Sequence, residues 1–275
     1  MMNYRQMKLM ECIIALMNKR SSLEIFKSVI FALFLREIQT RFGTQKLGYV
    51  WMILDPLSMV IIFSLMKTMT ASSSMPGIDY PVFLASGLLA YNFFKNVMMG
   101  SMNAFAANKA LFNYKMVKPF DTLVSRFFVE FLVFSVATLA FVSFGLYFGM
   151  DMAVKDINML LFAILWLGIF GFAMGLLFAV IATFYETFAK ILQYISMPLF
   201  FLSGLFYTLD SLPQLARELL LYNPIIHFIE LIHGSFFLVL DTRYVDYTYM
   251  MYWTIVPLFI GLFFYIRSEK KILSL

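Results

Sequence analysis

Six apolar runs, each long enough to cross a bilayer, dominate this chain: 48–70, 81–101, 122–149, 158–184, 188–208 and 248–266. Lipid offers the backbone no water to bond to, so each run must satisfy its own amides and carbonyls as a helix. Charged residues make up 13% of the chain against 62% hydrophobic ones, which excludes an ordinary soluble domain. The connecting segments, such as SSSMPGID at 72–79 and FGMDMAVKD at 148–156, are short and rich in turn formers. The expected fold is an all-α polytopic membrane protein of six transmembrane helices with no large soluble domain.

Orientation follows from the basic residues. Of the 21 Lys and Arg, 17 fall on one side of the six-span arrangement; only Lys67, Lys155, Arg217 and Arg243 fall on the other. The positive-inside rule therefore places both termini in the cytoplasm. The expected organisation is a cytoplasmic N-terminal region at 1–47, a transmembrane domain at 48–266 and a cytoplasmic tail at 267–275. Near the N-terminus LMECIIALM is interrupted by Glu11 and is read as a retained surface segment. The single cysteine, Cys12, excludes an internal disulfide framework or a multi-cysteine metal site. Residues 209–247, on the outer side, divide into LPQLARELLLY and PIIHFIELIHGSFFLVL, which predict short helices dipping into the outer leaflet.

The stretch LFLREIQTRFGTQKLGYVWMILDPL at 33–57 carries the clearest local pattern. Phe31, Phe34, Leu35, Ile38 and Phe42 recur at helical spacing, and Glu37 and Arg41 form an i,i+4 pair on the polar side. This predicts an amphipathic helix in the cytoplasmic interface, ended by Gly43. Tyr49 and Trp51 then suit headgroup depth at the start of the first span. Asp55 sits about two turns inside it, where a carboxylate either belongs to a gate or reaches back to the surface, and Pro56 favours a kink.

No phosphate-binding loop, zinc-protease motif, nucleophile elbow or Cys/His cluster is present. The expected function is transport, anchoring or assembly, with no catalytic site and no cofactor in this chain and any energy supplied by a partner. A secondary transporter would need ionisable residues deep in the spans, yet beyond Asp55, Lys67 and Glu130 near span ends there are few. A membrane-embedded glycosyltransferase would need a convergent acidic or metal site, which is also missing.

LREIQTRFGTQKLGYVWMILDPL resembles the opening of ABC-2-type permeases. With ANKALFNYKMVKPFDTLVSR at 107–126 and YNPIIHFIELIHGSFF at 222–237, the chain is similar to the inner-membrane subunits of capsular polysaccharide exporters. The resemblance implies the ABC-2 exporter fold and a homodimer with a channel for lipid-linked polysaccharide between its copies. It also implies two cytoplasmic ABC ATPase subunits that bind ATP and Mg. A periplasmic adaptor or polysaccharide co-polymerase and an outer-membrane exporter are the further partners expected, with no nucleic acid. O-antigen, teichoic acid or drug export are the alternatives within the group. The family often carries Glu where this chain has Asp55, which shortens the reach of any gate contact.

Within that frame, Arg36, Glu37, Arg41, Asn113, Tyr114, Lys115 and Lys118 are the expected ATPase-coupling residues. In 107–126 the lysines are interleaved with Leu111, Phe112 and Val117, which a loop serving only topology does not need. Tyr49, Trp51, Asp55, Pro56, Tyr91, Phe94, Tyr185, Tyr194 and Tyr207 are the channel or gate candidates, because polar-tipped aromatics suit a hydrated sugar path. His227, Glu230 and His233 are expected to form an outer polar face touching headgroups, polymer or a periplasmic partner; their i, i+3, i+6 spacing is not that of a metal pair. Gly168, Gly171 and Gly175 mark a close helix approach, inside one subunit or between two.

Overall fold

A computed structural model of the chain describes residues 22–43, 48–69, 78–113 and 116–273. Among the described residues the secondary structure is entirely helical. The helices are α1 Ser22–Phe42, α2 Gly48–Met69, α3 Tyr80–Met102, α4 Ala104–Ala107, α5 Pro119–Tyr147, α6 Ile157–Phe184, α7 Glu186–Phe201, α8 Gln214–Leu220, α9 Pro224–Phe236 and α10 Tyr247–Leu273, with 3-10 turns at Lys109–Asn113 and Leu209–Ser211. Four of them, α3, α5, α6 and α10, are long and apolar enough to cross a membrane. α2 has 22 residues, and its described apolar stretch is Leu57–Met66. The predicted spans and outer helices thus recover the helix order, while the fifth span differs in length.

Local chemistry sets several helix starts. Pro lies in the first turn of α3, α5 and α9, where its missing N–H costs nothing. Asp156 caps α6 by accepting from the amides of Asn158 and Met159, and Asn223 caps α9 by accepting from Ile225. The apolar run expected to continue to 208 stops as a helix at Phe201. Gly204 adopts φ 77°, a left-handed conformation that L side chains rarely take, and the chain turns back there. Asn223 holds that turn by donating to Leu202 O at 3.1 Å and to Ser203 Oγ at 3.2 Å. At 16 residues α7 is about 24 Å long at 1.5 Å per residue, shorter than a typical hydrocarbon core.

α3 is the central helix, packed against α2, α5, α6 and α9. Its crossing with α6 is close because glycines remove the side chains that would intervene. A Cβ on Gly168 would lie 2.9 Å from the Phe93 ring, one on Gly171 3.1 Å from Phe94 O, and one on Gly175 2.5 Å from Ser101 Cβ and 2.9 Å from Met98 O. The small-residue stripe therefore serves packing inside one subunit. Within the same crossing Phe94 of α3 stacks on Phe170 of α6 with centroids 5.0 Å apart, and Phe170 stacks on Phe228 of α9 at 5.1 Å. A second apolar cluster, including Phe105, Leu123, Leu176 and Tyr265, closes the opposite end. α5 and α10 turn much apolar surface outward, Leu139 and Phe259 among it, as lipid-facing helices should.

Gly175→Ala must push α3 and α6 apart at backbone atoms and is expected to lower stability by about 1–3 kcal/mol. Gly100→Ala, whose Cβ would meet only Glu130 Oε1 at 3.6 Å, is expected to leave stability unchanged or slightly raised. Thermal unfolding of both variants in the same detergent compares them directly.

Candidate functional site

The end of the bundle that gathers the C-termini of α1, α3, α6 and α10 and the N-terminus of α5 carries most of the predicted coupling residues. α1 is helical from Ser22, well before Phe31. Its orientation corrects the amphipathic reading. Phe31 and Leu35 are exposed, whereas Leu33 and Phe42 are buried and Arg36 and Glu37 turn inward toward α5. The expected Glu37–Arg41 pair is replaced by two pairs across helices: Arg41 to Glu130, and Glu37 to Arg126 at 3.1 Å. Arg126 also donates to Gly100 O at 2.6 Å, which ties α5 to the end of α3. Periodicity found the helix but not the facing charges, because the acidic and basic residues of α5 decide which side of α1 turns in.

Arg36 extends this network into the 107–126 segment. Its guanidinium donates to Asn108 Oδ1 at 3.0 Å, and Asn108 Nδ2 donates to Ala104 O at 2.9 Å. Asn108 is 3% exposed and Phe112 is 8% exposed, so both anchor the segment inward. Lys109, Asn113, Met116 and Lys118 face out. Tyr114 and Lys115 lie outside the described residues. Beside the segment, a recess of about 320 Å³ opens between Asn103, Phe105, Ala106 and Lys109 on one wall and Ala179, Ala182, Thr183 and Ala189 on the other. Asn108, in the 107–126 stretch read as a docking surface, is buried instead, and Arg126 and Glu130 are not among the expected site residues. The signal available for the last two was an i,i+4 pair of charges on an otherwise apolar span.

The channel candidates divide. The backbones of Tyr49, Trp51, Asp55 and Pro56 belong to α2, but their side chains lie outside the described residues. Tyr91 and Phe94 do not face an open path within the chain. Tyr91 is 1% exposed and donates to Ser196 O at 2.7 Å, while Phe94 stacks on Phe170, because α3 is surrounded on all sides. Tyr185 and Tyr194 are strongly exposed, at the α6–α7 junction and on α7. Lys190, Gln193, Tyr194, Met197 and Phe201 are all exposed along α7. Tyr207 is half-buried and donates to Phe201 O at 3.2 Å.

The outer candidates are corrected most clearly. His227 and His233 are buried and Glu230 is largely so, because α9 packs this face against α3, α6 and α10. His227 Nε2 lies 2.9 Å from Leu221 O, and Nδ1 accepts from the Asp246 amide at 3.2 Å, so the ring joins two loops. His233 packs at a tilt against Phe83 with centroids 4.0 Å apart, and burial pushes its imidazole down to about 3. Glu230 accepts the Leu209 amide at 3.1 Å, and burial pushes its carboxyl up to about 7. All three residues hold the outer cap together. Among the described residues no group of three or more His, Cys, Asp or Glu is placed to hold a metal.

Glu230 should make stability depend on pH. In the unfolded chain its carboxyl ionises near its ordinary value, whereas the folded protein retains the proton up to about 7. The penalty is absent below the unfolded value, grows as pH rises, and is complete above 7. Glu230→Gln should therefore match wild type at pH 4 and exceed it at pH 8 by up to about 3 kcal/mol. Unfolding curves at both pH values check this; an equal gap at both would show that Glu230 does not titrate in this range.

The geometry is that of a membrane subunit with a basic surface at one end and no catalytic constellation among its described residues. Residues 28–237 match the family model described as ABC-2 type transporter. The chain is 33% identical over 255 residues to the polysialic acid transport protein KpsM of Escherichia coli, covering 93% of this chain and 99% of that protein. It is 28% identical over 218 residues to the capsule polysaccharide export inner-membrane protein BexB of Haemophilus influenzae, covering 79% and 82% of the two chains. It is 27% identical over 251 residues to the capsule polysaccharide export inner-membrane protein CtrC of Neisseria meningitidis serogroup A, covering 91% and 95%. The family match runs from within α1 to the end of α9 and so takes in both the α1–α5 charge network and helices α8 and α9: the chain belongs to the ABC-2 type transporter family.

Proposed function

We propose that this chain is the permease subunit of an ATP-driven transporter that exports lipid-linked capsular polysaccharide across the bacterial inner membrane. The observation that carries the reading is the nearly end-to-end similarity to KpsM, with BexB and CtrC similar over most of their lengths. The exposed Lys109, Asn113, Met116 and Lys118, backed by the buried Asn108 and Phe112, supply a firm basic and apolar surface for a cytoplasmic ATPase. Two such subunits bind ATP and Mg, and both termini of this chain lie on their side of the membrane, in keeping with the charge bias.

A second copy of the chain completes the path. α7 is short and ends in a turn, and its exposed Lys190, Gln193 and Tyr194 would be costly to leave in lipid. Facing the same stripe of a second copy, they would line a hydrated route in which Tyr185 and Tyr194 offer ring faces to sugar C–H groups and hydroxyls to sugar hydroxyls. The outer cap of α8 and α9 then faces a periplasmic adaptor or co-polymerase, which hands the polymer to an outer-membrane exporter.

In cells deleted for the gene, polymer is expected to accumulate inside, and the intact chain is expected to return it to the surface. A Lys109→Glu, Lys118→Glu variant should reach the membrane but lose most of the ATPase in pull-down, with export falling about tenfold or more. Immunolabelling of surface polymer and quantification of ATPase from the same membranes check both. Normal surface capsule in the deletion strain would overturn the capsule assignment, and full ATPase recovery with normal export would overturn the docking surface.

A further inference from the structure

Four charges join α1 to α5, and their spacing permits two complete sets of pairs. In the structure the pairs run between helices, Arg41 with Glu130 and Glu37 with Arg126. Glu37 and Arg41 are also one turn apart on α1, and Arg126 and Glu130 are one turn apart on α5. Residues at i and i+4 lie about 5–6 Å apart at Cβ, within ion-pairing reach. Each charge therefore has one opposite partner across the helix gap and one on its own helix.

The buried groups are only partly satisfied in the observed arrangement. Glu130 Oε2 and Arg126 Nε are shielded from solvent without a hydrogen bond of good geometry, although Arg126 Nε lies 3.1 Å from Glu37 Oε1. Arg126 and Glu130 stand one turn apart on α5, so each has an opposite charge within ion-pairing reach on its own helix. Arg41 remains the most exposed of the four, at 39%, and so offers water access to the pair it makes with Glu130. Separating two helices joined by buried ion pairs ordinarily strands charge in a low-dielectric region. Here separation can proceed by exchange, from two pairs between helices to two pairs within them.

We propose that Arg126 and Glu130 are positioning residues of the transport cycle, and that with Glu37 and Arg41 they form a latch that releases α1 from α5 by exchanging partners. Arg36, bound to Asn108, carries the motion of the coupling segment to α1, one residue before Glu37. Closing forces applied at the segment thus reach a joint that has two paired states. A joint of this kind is bistable rather than continuously deformable, which suits a stepwise ATP-driven cycle. The proposal rests on the permease reading for the source of the force, but not on the identity of the cargo.

Charge swaps separate a latch from a static clamp. Arg41→Glu combined with Glu130→Arg preserves both pairs between helices but places like charges at i,i+4 within each helix. A static clamp would tolerate this double variant. A latch would be locked shut, with assembly and ATPase recruitment retained and export down about tenfold or more. Adding Glu37→Arg and Arg126→Glu restores opposite charge in all four pairings; it also removes the Arg126 donation to Gly100 O, so export is expected to return in part, clearly above the double variant.

The closing experiment uses the assembled permease–ATPase complex with spin labels at Gln39 on α1 and Phe128 on α5. The expected result is a distance that changes between nucleotide-free and ATP-trapped complex, stays at its nucleotide-free value in the double swap, and changes again in the fourfold swap. Normal export by the double swap, or an unchanged distance in the wild-type complex, would overturn the proposal. A cargo other than capsule would leave these distances intact while removing the capsule phenotype, so failure of the cargo reading would be recognised separately.

Discussion

Helices that meet in lipid gain little from hiding apolar surface, since the tails around them are equally apolar; close packing has to hold them together. In this protein that requirement is met at the crossing of α3 and α6. Gly168, Gly171 and Gly175 let the α6 backbone approach Phe93, Phe94, Met98 and Ser101 more closely than any side chain would allow. The aromatic column Phe94–Phe170–Phe228 then sets α9 against the same pair of helices. The α9 cap and the α1–α5 end are both built on this crossing.

At the end where α1 meets α5 the governing cost is that of charge removed from water. Arg126 and Glu130 lie on a helix whose other surface is largely apolar and lipid-facing, so they require partners within the protein. α1 supplies Glu37 and Arg41, and in doing so turns its charged face inward and leaves Phe31 and Leu35 outside. The orientation of the interface helix is thus dictated by electrostatics at α5 rather than by its own apolar stripe. The same network reaches Gly100 and Asn108 and joins three separate segments through side-chain contacts.

The cap at α9 is held by polar side chains that turn into the protein. His227, His233 and Glu230 had the appearance of a functional surface because they recur on a short helix among apolar residues. Glu230 and His227 instead meet a carbonyl and loop amides, and His233 packs its ring against Phe83, which allows α9 to be buried although it is too short to span. Polar residues at regular spacing signal an environment that must satisfy them, and that environment can be either a ligand or the rest of the fold.

By itself the sequence determined the helical class, the order and approximate limits of the long helices, the paired outer helices and the family, because run length, turn residues and extended motifs are local properties of the chain. Only the tertiary structure decided that α7 stops at Phe201, that Tyr91 and Phe94 are interior, that the glycine stripe packs α6 on α3 within one subunit, and that Glu37 and Arg41 pair with Arg126 and Glu130 rather than with each other. The physical reason is that spacing shows which residues share a helix face, whereas burial and ion pairing depend on what stands opposite that face. The opposite helix, some 90 residues away in the case of Arg41 and Glu130, is brought there by packing that no local window contains.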